Sequence, residues 1–106
     1  MARPVPDGLI DMAVAESLKV PAFVWRAALA GLMEDDTARR RHRIAAPTLL
    51  HWGERDNFVP RADQDALLRD IPRARLIVHA GAGHALHWED PARAAREIAA
   101  FATLRA

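Results

Sequence analysis

The chain has 106 residues, so it forms one ordinary domain at most and has room for only a modest core. Apolar residues make up 51% and charged residues 27%, and the formal net charge of +1 fits a soluble globular protein and gives no reason to expect a nucleic-acid partner. Cysteine is absent, which excludes disulfides, thiolate nucleophiles and thiolate metal sites.

The amino-terminal residues 1–8 contain two prolines and lack the apolar stretch of a signal peptide. Nowhere in the sequence do eighteen apolar residues follow one another, as a membrane-spanning helix would require. We therefore expect a cytoplasmic protein with no membrane partner.

The first part of the chain, residues 1–43, has a helical pattern. Apolar residues spaced for one face predict a short, half-buried helix over residues 9–18. Pro21 suits the first turn of a second helix, which continues over residues 22–33 and is apolar on nearly every face, so it needs cover on more than one side. The charged residues 34–43, acidic first and basic after, indicate a solvated connector rather than a nucleic-acid site.

The second part, residues 44–106, alternates strand, helix, strand, helix. Residues 47–52 and 75–79 are apolar runs typical of buried strands. One helix begins at Pro60 and is stopped by Pro72, and the next begins with Asp90 as N-cap and Pro91 at the first helical position. This alternation predicts an α/β fold with a parallel sheet flanked by helices.

Two polar residues follow the predicted strands and could carry chemistry. Asp56 lies three residues beyond Gly53, and His84 follows Gly81 and Gly83. Because parallel strands open their carboxyl ends at the same sheet edge, we expect the two side chains to meet, with the carboxylate fixing the tautomer of a general-base imidazole. Purely structural roles are the alternative: Asp56 binding the amides of its own turn, and His84 making a loop hydrogen bond.

The other histidines do not predict a metal site. His87 and Glu89 lie near His84, but the spacing differs from that of paired helical zinc ligands and no third strong ligand is evident. His51 and His79 fall within the strands and are expected to be packed or hydrogen-bonded core residues, whereas His42 is expected to be exposed.

These segments together resemble the carboxyl-terminal part of an α/β-hydrolase. Residues 46–60, with Trp-Gly-Glu-Arg-Asp, are similar to the family's late strand and acid loop. Residues 72–91, with Gly-Ala-Gly-His and Trp-Glu-Asp-Pro, are similar to its last strand and histidine loop. The resemblance covers about residues 44–104, and residues 4–43 more weakly resemble the end of an inserted helical cap. The fold implied is the carboxyl-terminal βαβα portion of the family's sheet, preceded by cap-like helices.

The resemblance implies Asp56 as the acid and His84 as the general base of a catalytic triad, acting on a small-molecule substrate without a cofactor or metal. Trp25, Phe58 and Trp88 become candidates for substrate binding, although each is equally credible as packing. The third triad member is missing from the sequence: it contains no Gly-x-Ser-x-Gly elbow and no aspartate variant of one. Ser17 lies in a helical pattern without flanking glycines, which argues against a role as nucleophile.

We therefore expect the chain to be a fragment of a hydrolase, and the favoured class is a carboxylic-ester hydrolase. Without the rest of that enzyme, the fragment should be inactive or nearly so. Whether the complete enzyme uses serine or aspartate is left open, as are its substrate and bond type. One alternative is a non-catalytic binding module that self-associates as a homo-oligomer. Another is one half of a split enzyme whose missing amino-terminal half supplies the nucleophile.

Overall fold

The computed structural model describes residues 1–104, and within it the chain divides into two compact units. Residues 6–39 form a helical unit. Residues 1–5 and 40–104 together form an α/β unit. The boundary expected after residue 43 stays a prediction.

The helical unit consists of α1 (Leu9–Leu18) and α2 (Ala22–Met33). The carbonyl of Pro21 accepts from the backbone N–H of Val24 at 3.0 Å, so the proline stands immediately before the first helical residue. None of the residues of these two helices, all of which the structure describes, is buried. The cover predicted for α2 is thus not provided, and Phe23 and Leu32 are 66% and 71% exposed.

The charged connector contains a 3₁₀ helix over Thr37–Arg43. His42 within it is exposed, as predicted. Arg41 is half-buried, and its Nη1 lies 3.7 Å from Oδ2 of Asp70. The basic end of the connector therefore belongs to the α/β unit and is joined to Asp70 by this ion pair.

The α/β unit follows the predicted order of elements. These are β1 (Thr48–Gly53), α3 (Arg61–Asp70), β2 (Ala74–His79), α4 (Leu86–Glu89) and α5 (Pro91–Thr103). The two strands pair in parallel, with Thr48 opposite Ala74 and Gly53 opposite His79. The short helix α4 was not predicted. The architecture is consistent with a partial α/β-hydrolase fold: a small parallel sheet with helices.

Local signals explain the helix ends. The side chain of Asp90 accepts from the backbone N–H of Arg93 at 3.1 Å, and Pro91 takes the first helical position of α5, so the predicted cap is present. Helix α3 starts directly after Pro60 and ends before Ile71, as the flanking prolines indicate.

The core of this unit is small. Its buried apolar residues are Trp52, Ile71, Ala82, Leu86 and Ala94. The strands were predicted to be buried, but most of their residues are half-buried, because among residues 1–104 the sheet has two strands and neither edge has a further neighbour. Within residues 1–104, no helix has the length and apolar character needed to cross a bilayer.

One polar cluster lies inside this unit, between the strands and α5. His79 is 1% exposed, and its ring lies beside that of His51, with centroids 5.1 Å apart. Glu97 of α5 faces both rings. Burial first, and then the charge of His79, lowers the pKa of His51 below its ordinary value. Sequence reasoning predicted the two histidines as core residues but gave no sign of Glu97 beside them.

Candidate active site

The acid loop begins where β1 ends, and Asp56 is held by its own turn. Oδ1 of Asp56 accepts from the backbone N–H groups of Phe58 and Val59 at 2.8 and 3.0 Å. The indole N–H of Trp52 donates to the carbonyl of Val59 at 2.8 Å and fixes the far side of the loop. Asp56 therefore makes the hydrogen bonds to its own turn amides that the purely structural interpretation predicts. These bonds occupy one of its two carboxylate oxygens.

The histidine loop leaves β2 through a tight turn. Gly81 has φ of 69°, a left-handed conformation that glycine adopts without steric cost. The backbone N–H of Ala82 donates back to the carbonyl of His79 at 3.2 Å. Ala82 and Gly83 are buried, and His84 follows them on the exposed side. The turn thus delivers the imidazole from a packed backbone.

The two loops are joined by backbone contacts. The N–H of Arg55 donates to the carbonyl of Ala82 at 2.8 Å, and the N–H of Glu54 donates to that of His79 at 3.1 Å. Gly53 permits this approach, because a Cβ at that position would overlap the carbonyl oxygens of Ala82 and Gly83. The relative position of the acid and histidine loops is therefore fixed by main-chain geometry.

The structure brings the acid and the histidine together. Nδ1 of His84 lies 2.9 Å from Oδ2 of Asp56, the carboxylate oxygen that the turn amides leave free. The Asp56 side chain is 6% exposed and that of His84 is 54% exposed. Because an ionised carboxylate only accepts, Nδ1 carries the proton, and Nε2 is the nitrogen able to take a proton from a reacting group.

The environment of Asp56 favours its charged form. Burial raises the pKa of the carboxyl, but the hydrogen bonds from His84, Val59 and Phe58 outweigh it and hold the pKa below its ordinary value. The carboxylate therefore stays ionised beside the imidazole, as an orienting group must.

The three predicted substrate-binding residues have different positions. The ring of Phe58 is 80% exposed and meets the His84 ring edge-on, with centroids 5.2 Å apart. Trp88 lies on α4, is 38% exposed and contacts the ring of His87 instead. Trp25 belongs to the helical unit, where its indole N–H donates to the carbonyl of Ser17 at 3.3 Å. Of the two that belong to the α/β unit, Phe58 is the one that the structure places against His84.

Two cavities adjoin His84. The first, of about 290 Å³, is lined by Arg55, Asn57, Phe58 and the first two residues of the chain. The second, of about 510 Å³, extends from His84 towards His51 and is otherwise mostly apolar, with Leu49, Leu86 and Phe101 among its walls. The imidazole thus lies between a polar and an apolar space of ligand size.

Two glutamates that sequence reasoning did not assign to the site hold the histidine loop. Oε2 of Glu54 accepts from the N–H of Gly81 at 2.9 Å, and Oε2 of Glu89 accepts from that of Gly83 at 3.0 Å. Burial raises the pKa of Glu89, but its bonds from the backbone of Gly83 and Ala2 bring it below the ordinary value. Glu54 lies two residues before Asp56 in the same short motif. That position in the sequence was the available sign that Glu54 belongs to the site.

Comparison with known proteins identifies the family. A model described as "Alpha/beta hydrolase family" matches residues 1–97, and the chain belongs to that family. The family and the α/β-hydrolase fold predicted from the sequence are thereby confirmed.

Individual relatives are similar over parts of the chain. A 2-hydroxy-6-oxononadienedioate/2-hydroxy-6-oxononatrienedioate hydrolase of Pseudomonas putida is 43% identical over 54 residues, 51% of this chain and 19% of its own length. A 2-hydroxy-6-oxo-6-phenylhexa-2,4-dienoate hydrolase of Burkholderia cepacia is 33% identical over 76 residues, 72% of this chain and 23% of its own. The chain therefore spans about a fifth of the length of the curated relatives it matches. No solved structure gives a significant match.

Proposed function

We propose that this chain supplies the acid, Asp56, and the general base, His84, of a hydrolase triad whose nucleophile lies on another part of the complete fold. The observation that carries the proposal is the 2.9 Å contact between Nδ1 of His84 and Oδ2 of Asp56, with the acid buried and the base exposed to two cavities. A buried acid and an accessible base are what proton transfer to a bound molecule needs.

In the proposed mechanism His84 moves the protons. Nε2 takes a proton from the attacking nucleophile or water, and the imidazolium that forms is stabilised by the charge of Asp56. The same nitrogen then returns the proton to the leaving group. Asp56 stays ionised throughout, in keeping with its lowered pKa and its two turn hydrogen bonds.

The substrate we propose is a 2-hydroxy-6-oxo-dienoate, split at a carbon–carbon bond. Its support is the similarity to hydrolases named for such compounds. The cavities fit a molecule with polar and apolar ends, since Arg55 and Asn57 lie on one side of His84 and Leu49 and Leu86 on the other. An ester, the bond expected from the sequence, is the competing choice and is chemically compatible with the same pair.

A chimera tests the proposal. In the Burkholderia cepacia hydrolase, the segment that matches this chain would be exchanged for the corresponding residues of this chain. The chimera should consume 2-hydroxy-6-oxo-6-phenylhexa-2,4-dienoate, which is measured as a decrease in the absorbance of this substrate. The change His84→Ala should lower kcat/KM by about 10³-fold or more, and Asp56→Asn should also cause a loss of several orders of magnitude.

The matched control is His42→Ala, which removes an exposed histidine of the connector and should leave the rate within about twofold. If His84→Ala in a folded chimera keeps the activity of its parent, the assignment of the base is wrong. If the chimera cleaves p-nitrophenyl esters but not the dienoate, the triad pair stands and the proposed bond type is wrong.

The 106-residue chain alone is expected to be inactive or nearly so. Ser17 is the single serine of the sequence, and the structure places it in α1 of the helical unit, without the strand-to-helix turn of a nucleophile elbow. Turnover of either substrate by the purified chain, lost in His84→Ala, would contradict this expectation.

A further inference from the structure

We propose that His51, His79 and Glu97 form a binding site for a divalent transition metal of the zinc type, separate from the Asp56–His84 pair. The three residues come from β1, β2 and α5, and their ligand atoms, one from each, all lie within 4.8 Å of one another. The site belongs wholly to the α/β unit. It is independent of the proposed hydrolase function.

The sheet register brings the two histidines to one face. His51 pairs with Ile77, and His79 lies two residues further along β2. Because side chains two residues apart point to the same side of a strand, both rings project towards α5. Glu97 projects back from that helix, so the three donors converge from three different elements.

The distances are close to those of a metal site. Oε2 of Glu97 lies 2.8 Å from Nε2 of His79 and 3.8 Å from Nε2 of His51. Ligands at zinc bond lengths of about 2.0–2.1 Å in a tetrahedron are roughly 3.3 Å apart. All three ligand atoms lie within 4.8 Å of one another, so side-chain movements of up to about 1.5 Å would bring them to that spacing.

The three ligand atoms lack other partners. Nε2 of His51, Nε2 of His79 and Oε2 of Glu97 are buried, and among residues 1–104 none of them makes a well-aligned hydrogen bond. Nε2 of His79 and Oε2 of Glu97 approach each other to 2.8 Å, within ion-pair distance, and this contact leaves Nε2 of His51 without a hydrogen-bond partner. One cation would satisfy all three atoms at once, whereas leaving polar atoms buried and unpaired is costly.

The surroundings favour zinc chemistry over calcium or magnesium. Two imidazoles and one carboxylate are the donor set that borderline metals prefer, and hard cations prefer oxygen alone. Nε of Arg93 donates to Oε1 of Glu97 at 2.8 Å, which orients the carboxylate and leaves Oε2 for the ion. The 510 Å³ cavity is lined by His51, so one of the three residues borders an open space.

The test is zinc binding to the full 106-residue chain. Calorimetry should show one equivalent of zinc, and free zinc at about one hundred times its Kd should raise the Tm by roughly 10 °C. Glu97→Gln and His79→Gln should each weaken binding by about tenfold or more. The controls His42→Ala and His84→Ala should bind as the parent does, since both residues lie outside the cluster.

A second measurement needs no variant. Zinc should shift the imidazole NMR signals of His51 and His79 and leave those of His42 and His84 in place, and Co²⁺ should give the visible absorption of a tetrahedral site. The proposal is overturned if the chain binds no zinc, or if binding is lost in His84→Ala and kept in Glu97→Gln. The latter result would place the ion on the Asp56–His84 pair.

Discussion

The two oxygens of the Asp56 carboxylate have different partners. Oδ1 is held by the turn amides of Phe58 and Val59, and Oδ2 faces His84. The structural and the functional interpretation of this residue are therefore compatible, since each uses one oxygen. The sequence predicts that Asp56 and His84 meet, because both follow parallel strands. It does not predict which oxygen does which task, because that depends on the local turn.

Stability at acid pH should reveal the charge on Asp56. Its folded pKa lies below the ordinary value of 3.8, so the unfolded chain takes up the proton first. The stabilisation is complete above the unfolded pKa and is lost as the pH falls through the folded pKa. Thermal unfolding followed from about pH 6 to about pH 2 should therefore show a smaller loss of Tm in Asp56→Asn than in the parent.

The control for this measurement is Asp63→Asn, an exposed aspartate in the first turn of α3. Both variants remove one carboxylate charge, but only Asp56→Asn removes a carboxylate that is held by the turn amides and His84. If Tm falls equally with pH in the parent and in Asp56→Asn, the carboxylate at position 56 is not held in its charged form.

Gly53 should be intolerant of a side chain. The change Gly53→Ala places a methyl group against the carbonyl oxygens of Ala82 and Gly83 and should lower the free energy of unfolding by about 1–3 kcal/mol. Gly31→Ala is the matched control, because a Cβ there meets nothing within 4 Å beyond its own stretch of helix, and α2 should gain up to about 1 kcal/mol. Urea unfolding of both variants checks this, and equal effects would contradict the proposed close approach.

At the scale of the elements, helix boundaries follow signals that are local in sequence. The bounds of α1 and α2 match the predicted ranges, and proline and aspartate mark the starts of α3 and α5. The exception is α4, whose four residues are too few to show a helical period. It forms after the histidine turn, where the carbonyl of Ala85 accepts from the N–H groups of Trp88 and Glu89.

The cap of α5 offers a prediction at this scale. Asp90→Ala removes the bond to the N–H of Arg93 and should cost about 1 kcal/mol of unfolding free energy. Asp63→Ala changes an acidic residue of a first turn that makes no capping bond, so its cost should be smaller. Urea unfolding compares the two, and an unchanged free energy of unfolding in Asp90→Ala would show that the cap at Asp90 does not stabilise the helix.

At the scale of the whole molecule, the strands are less buried than their composition indicates. An apolar run predicts which residues a strand could bury, but not whether neighbouring strands are present to cover them. The sheet formed by the described residues has two strands. The same reasoning applies to α2, whose apolar faces predict cover that the 104 described residues do not supply. Burial depends on parts of a fold far away in sequence, and local patterns cannot report them.

We expect the isolated chain to be marginally stable and to bind hydrophobic dyes. Its buried apolar residues are few, and large side chains such as Phe23, Leu32 and Met33 are exposed. Dye fluorescence should rise on mixing with the native chain, and sedimentation should show association that increases with concentration. A monomer at all concentrations, without dye binding, would count against this and against the self-associating alternative.

The backbone bonds between the acid and histidine loops have a consequence for engineering. The acid, the base and the main-chain contacts that align them all fall between Thr48 and His84, in one uninterrupted stretch of chain. A gene segment of that length could be transplanted into a scaffold bearing a suitable nucleophile. The donor would then contribute a prealigned carboxylate–imidazole pair as a single inherited piece, without two distant insertions having to be matched to each other.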